Sequence, residues 1–227
     1  MRTLSVRTDY KSHDGTYKRY KAQGGVGWDV TEAAYREREA ALERILAAGR
    51  APTTGRLLEM GCGAGNMSIW LARRGYEVYG VDIAPSAIQW ALENGRAANS
   101  AAKFSVGDVC DLAGFADASF DFVLDGHCLH CIIGADRGRF LATALRLLRP
   151  GGYFLVDTMC GPVIDPAALK GYDSQTRCTL YGDLATRYFG LPEEIVAEVL
   201  QAGFRVLHTE VSPEKAHSNM VVEAQKP

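Results

Sequence analysis

Long apolar runs are missing from this 227-residue chain, and no stretch approaches the roughly 18 to 20 residues needed to span a bilayer. The first residues also carry no apolar run of signal-peptide length, so the sequence predicts a cytoplasmic protein with no membrane attachment. A basic excess is missing as well: 25 Lys and Arg stand against 27 Asp and Glu, for a net charge of −2. A polyanionic partner demands a basic face, so nucleic acid is not an expected partner. The cations Arg2, Arg7, Lys11, Lys18, Arg19 and Lys21 are interleaved with acids and tyrosines and read as a solvated face. Cysteines number only six, without the spacing of a secreted framework. That pattern fits a reducing compartment in which Cys62 and Cys110 act as small buried apolar residues. Repeats and low-complexity segments are absent too. At 47% hydrophobic residues the chain has enough apolar material for one core, and a single domain over 1–227 is expected.

What is present is a glycine-rich turn. The run Leu57-Leu58-Glu59-Met60-Gly61-Cys62-Gly63-Ala64-Gly65-Asn66 reads as a buried strand that breaks into glycines at alternate positions. Removing β-carbons there lets a ligand approach the backbone, and the helix that follows offers its free amides to it. The dinucleotide fingerprint is weakened by Asn66, and the lysine of a phosphate-binding P-loop is lacking. A second strand, Glu77 to Val81, ends in Asp82 about 20 residues on, where a carboxylate accepts from ribose hydroxyls in such sheets. A third, Lys103 to Val106, runs into Gly107-Asp108-Val109 and sets another carboxylate at a strand end.

Strands and helices alternate along most of the chain. An arm (1–50) holds Tyr10, Tyr17, Tyr20 and Trp28 and then a helix from Thr31 to Ala48, which Gly49 and Pro52 end. The cofactor-binding core (51–158) adds helices after Gly65, from Pro85 to about Asn94 and from about Arg137 to Leu148, with strands Phe120 to Leu124 and Tyr153 to Asp157. Residues 159–190 mix Gly, Pro, Asp and aromatics without clear period and read as a lid insertion; 191–227 hold the helix Pro192 to Gln201 and two final strands. The expected fold is α/β, a Rossmann-like doubly wound sheet of about seven strands, mostly parallel, plus an N-terminal helical arm.

Through Leu57 to Gly65, Val78 to Asp82, Ser105 to Asp108, Phe120 to Leu129 and Leu148 to Asp157, the chain resembles the class I S-adenosylmethionine-dependent methyltransferases. The resemblance implies S-adenosyl-L-methionine as cofactor and an antiparallel C-terminal strand. It implies that Gly61, Gly63 and Gly65 cradle the methionine part, that Glu59 orients it, and that Asp82 holds the ribose. It further implies Ile83 against adenine, Asp108 and the Val109 amide on the adenine edge, and Asp125 near the methionine amino group. The family more often has Asp where Glu59 stands.

Methyl transfer is an in-line displacement that asks for alignment and a dry site, with a base only where the nucleophile starts protonated. His127 is the first candidate for that base and His130 the second, both in the segment after the Phe120 strand. Their spacing, with Cys128 and Cys131, also raises a metal or soft-element site, but one short cluster does not supply the ligands of a structural zinc, and none is expected. Tyr20 and Trp28 are expected to close over the cofactor with Tyr17, and Tyr172, Arg177, Tyr181, Arg187 and Tyr188 to shape the acceptor end. The expected reaction is methyl transfer to O, N or S of a small-molecule acceptor. Thiol-assisted methylation of a soft element such as arsenic, a nicotinamide oxidoreductase and a non-catalytic cofactor-binding protein stay open as alternatives, as does the oligomeric state.

Overall fold

The computed structural model describes residues 7–227, so Arg2 of the arm lies outside the described residues. The arm forms α1 (His13–Ala22), and Thr31 caps α2 (Glu32–Ala47) by accepting from the Ala34 amide. Then follow β1 (Gly55–Met60), α3 (Asn66–Arg73), β2 (Tyr76–Asp82), α4 (Pro85–Ala97), β3 (Lys103–Val106), β4 (Phe120–Asp125), α5 (Asp136–Leu147) and β5 (Leu148–Cys160). Beyond them lie β6 (Tyr172–Asp173), β7 (Cys178–Tyr181), β8 (Leu184–Tyr188), α6 (Pro192–Gln201), β9 (Arg205–Pro213) and β10 (Ser218–Gln225).

The main sheet has seven strands in the order β3-β2-β1-β4-β5-β10-β9. β10 runs antiparallel to both β5 and β9, while the pairings among β1 to β5 are parallel. Alternation along β5 serves both faces: Phe154 and Val156 join the core under α5 and α6, Tyr153 and Leu155 the core under α2 and α3. Both layers are therefore needed to keep this strand dry. β1 sits between β2 and β4, so the chain winds away from it in both directions and leaves a crevice at the strands' carboxyl ends.

The expected fold holds, with differences at the edges. α4 continues to Ala97, three residues past the expected end, and β5 runs three residues beyond Asp157. The 159–190 segment is not irregular: β6, β7 and β8 form a separate antiparallel sheet. No helix among the described residues is long and apolar enough to cross a membrane.

Candidate active site

The glycine turn after β1 takes backbone angles that side chains resist, with φ of 81° at Gly61, 53° at Gly63 and 79° at Gly65. A β-carbon at Gly61 would stand 2.6 Å from Cys128 Cβ, and one at Gly63 would stand 2.6 Å from the Tyr17 hydroxyl. Gly65 serves packing: its β-carbon would meet Phe104 and Ala91 at 2.8 and 2.9 Å, and it caps α3. The Gly61 and Cys62 amides donate to the Val81 carbonyl, so the turn is pinned across to β2.

A cleft, open at its mouth, lies over this turn. Of the sequence candidates it gathers Trp28, Glu59, Gly61, Gly63, Asp82, Ile83, Asp108, Val109, His127 and His130. Tyr20 is not in its wall; it packs edge-on to Trp28, which also meets Tyr17 and His13, and Tyr10, Tyr17 and Tyr35 are the tyrosines that line the cleft. Gly65 is likewise outside the wall. Asp125 lines an adjoining groove beneath α2 that shares Glu59, Gly126 and Arg38 with the cleft. The Asp125 carboxylate accepts from the Cys128 and Leu129 amides at 2.8 and 3.0 Å and so shapes the turn that carries both histidines.

Burial dominates the electrostatics. It pushes Asp82 up, against hydrogen bonds from the Ala84 and Gly63 amides. It carries Glu59 to about 7, although Ser68 donates to it and Arg38 lies near, and it carries Asp125 to about 7 as well. His130, 3% exposed, is held well below the usual imidazole range by burial and then by the charge of its neighbours, His127 first, so it stays neutral. It meets His127 edge to face at 4.6 Å between ring centres. Cys62, Cys128 and Cys131 line the cleft, but burial raises all three thiols away from the reactive thiolate, and no group of three metal-ligating side chains converges among the described residues.

Arg38 lines the cleft and was not marked by sequence reasoning. It projects from α2 into both cavities and pairs with Asp29 at 2.9 Å. Its surroundings in sequence, Arg36-Glu37-Arg38-Glu39, look like any solvated helix face, so no local signal marks it. None of Tyr172, Arg177, Tyr181, Arg187 and Tyr188 lines the cleft: Arg177 bonds Glu194 and Tyr188, tying the β6–β8 sheet to the start of α6, and Tyr181 is 80% exposed.

These residues fit an adenosyl amino acid. Asp82 and Asp108 offer acceptors that would suit a ribose and a base, and Ile83 offers an apolar face. Glu59 and the partnerless buried Oδ2 of Asp125 suit an ammonium, and Arg38 suits a carboxylate.

The seven-stranded sheet is the fold of solved methyltransferases. Residues 58–156 match the family described as a methyltransferase domain. It is 34% identical over 152 residues to a ubiquinone biosynthesis O-methyltransferase of Azorhizobium caulinodans, covering 66% of this chain and 59% of that relative. It is also 32% identical over 104 residues to the 2-heptyl-1-hydroxyquinolin-4(1H)-one methyltransferase of Mycobacteroides abscessus, covering 45% of each. The chain thus spans less than two thirds of these relatives. Among solved structures, a SAM-dependent methyltransferase of Methanosarcina mazei superposes with a TM-score of 0.70 at 23% identity, covering 80% of this chain and 96% of that one. The 1,6-didemethyltoxoflavin-N1-methyltransferase of Burkholderia thailandensis gives 0.68 at 21% identity, covering 98% and 93%. At these identities the likeness is one of fold.

Proposed function

We propose that this chain moves the methyl group of S-adenosylmethionine to a hydroxyl oxygen of a small-molecule acceptor. The observation that carries the reading is the convergence, in one cleft, of partners for every part of the cofactor with an imidazole, His127, at the neighbouring strand end. The cofactor, when bound, supplies an electrophilic methyl carbon on a sulfonium. The protein's share is placement: the glycine turn admits the ligand, Asp82 and Asp108 fix its adenosine end, and Arg38 and Glu59 fix the amino-acid end. The arm, through Tyr17 and Trp28, keeps water from the reacting atoms. His127 takes the proton that the acceptor hydroxyl loses, a contribution of roughly 100-fold to 10,000-fold. Oxygen is favoured over nitrogen or sulfur by the O-methyltransferases among the relatives.

Calorimetric titration with S-adenosylmethionine, S-adenosylhomocysteine and NADH tests the cofactor. Mass spectrometry of reactions with 3,4-dihydroxybenzoate and 2-heptyl-1-hydroxyquinolin-4(1H)-one then tests the acceptor class. Binding of the sulfur nucleotides alone, with methylation at oxygen, supports the reading. Binding of NADH, or methylation at nitrogen or sulfur only, removes it.

A further inference from the structure

His127 is held in a conformation that costs free energy. Its φ is 62°, in the left-handed region that a residue with a β-carbon enters only when its surroundings compel it. Two neighbours show what the conformation achieves. Nδ1 of His127 is buried and faces Asp157 Oδ1 at 3.7 Å, with no other polar partner. The same Asp157 oxygen accepts from the Asn219 side-chain amide at 2.6 Å, across the β5–β10 ladder. Yet the His127 side chain is 22% accessible, and His127 lines the cleft. With Nδ1 sealed, the open edge of the ring is the one that carries Nε2.

We infer that Asp157 and Asn219 are positioning residues that hold His127 with Nδ1 turned to the carboxylate and Nε2 to the cleft, poised to accept a hydroxyl proton. Asn219 holds the carboxylate oxygen in place, and the carboxylate favours the tautomer with its proton on Nδ1 and steadies the imidazolium once Nε2 is protonated. The 3.7 Å separation closes to a hydrogen bond with a small turn of the ring. Burial alone would raise Asp157, but His127, Arg38 and Asn219 outweigh it and hold it at about 2, so it is a carboxylate at neutral pH. The other groups around the imidazole are His130, packed against its edge and neutral, and Asp125 behind it. The proton taken from the acceptor passes from Nε2 to water, and no further reactant is needed. The inference rests on the proposed methyl transfer only for the use made of Nε2.

The test is 15N NMR of the histidine rings in the full chain, with His127→Gln assigning the signal. The expected neutral form carries its proton on Nδ1, and Asp157→Asn loses that preference and mixes the tautomers. Asn219→Ala keeps the charge but mixes the tautomers. With whichever hydroxylated probe is turned over, Asp157→Asn lowers kcat with little change in KM for the cofactor, and has no added effect in the His127→Gln background. A proton on Nε2 in the wild type, or a tautomer unmoved by Asp157→Asn, overturns the inference. Should Asp157→Asn not fold, Asn219→Ala and Asp157→Glu decide by the tautomer. Failure of S-adenosylmethionine to bind while the imidazole coupling holds would instead sink the methyl-transfer reading alone.

Discussion

Asp82, the last residue of β2, accepts a hydrogen bond at 2.9 Å from the Gly63 amide in the turn after β1. Its other oxygen accepts from the Ala84 amide at 2.9 Å. One carboxylate therefore locks the glycine turn to the next strand while facing the cleft, and its two duties are inseparable. Asp82→Ala should weaken S-adenosylmethionine binding by about 1.5–3 kcal/mol for each charge-assisted bond lost. It should also lower stability without ligand, because the Gly63 amide loses its acceptor. Calorimetry and thermal melts on one sample check both, and an unchanged dissociation constant removes the ribose assignment.

Gly126 closes the same contact from the β4 side. A β-carbon there would stand 2.7 Å from the Gly61 carbonyl oxygen and 2.9 Å from that of Met60, and backbone cannot step aside as a side-chain tip can. Gly126→Ala should part the histidine turn from the glycine turn, costing about 1–3 kcal/mol of stability. Cofactor affinity should fall with it. Urea denaturation and calorimetry read the two effects.

The frame of the fold was legible because its signals are local: apolar runs ending in Asp82 and Asp125, and glycines at alternate positions; the expected turn at Pro150-Gly151-Gly152 instead lies within the first residues of β5. What was not legible depends on distance. Tyr17 and Tyr20 are three residues apart on α1, and only packing against Trp28 decides that Tyr17 enters the cleft. Arg38 shares its charge pattern with its neighbours and gains meaning from what α2 lies against. The β6–β8 strands are two, four and five residues long, too short for a periodic signal among so many turn formers. Asp157 and Asn219 lie 62 residues apart and meet only through strand pairing.

Asp125 predicts a pH dependence whose sign can be worked out. Burial raises its folded pKa to about 7, far above the value of about 3.9 for an unfolded chain. Between these values the folded state binds more protons than the unfolded state, so this group makes stability fall as pH rises through that window and level off above about 7. Asp125→Asn removes the term, keeping an oxygen for the Cys128 and Leu129 amides. The stability of wild type minus that of Asp125→Asn should therefore drop between about pH 5 and pH 8 by on the order of 1–3 kcal/mol. Glu59 and His130 titrate in both proteins and cancel in the difference. Urea unfolding at the two pH values measures it, and a difference that grows with pH would contradict the assignment.

Arg38 should matter for binding more than for folding. Its partner Asp29 is 24% accessible, so water takes over part of what the lost ion pair supplied. Loss of the cation facing the amino-acid end of the cleft should raise the dissociation constant of S-adenosylmethionine roughly 10-fold to 100-fold in Arg38→Ala. Adenosine, which has no carboxylate, should bind both proteins alike. That comparison by calorimetry separates a carboxylate contact from a general loosening of the cleft.

Arg137 shows how the histidine turn is anchored from behind. Its guanidinium, with the side chain 5% accessible, donates to the Leu129 and Ile132 carbonyls at 2.7 and 3.3 Å and to Glu198 of α6 at 2.6 Å. Removing it strands two buried carbonyls and leaves Glu198 without its partner, a larger penalty than the pair's own net attraction. Arg137→Met, which keeps the apolar stem, should still cost about 2–4 kcal/mol. Because the anchored segment carries His127 and His130 but not the glycine turn, turnover should fall further than cofactor affinity. Stability from urea unfolding, kcat with a hydroxylated probe and the calorimetric Kd make the comparison. An equal loss in kcat and affinity would mean that the histidine turn and the glycine turn move as one body.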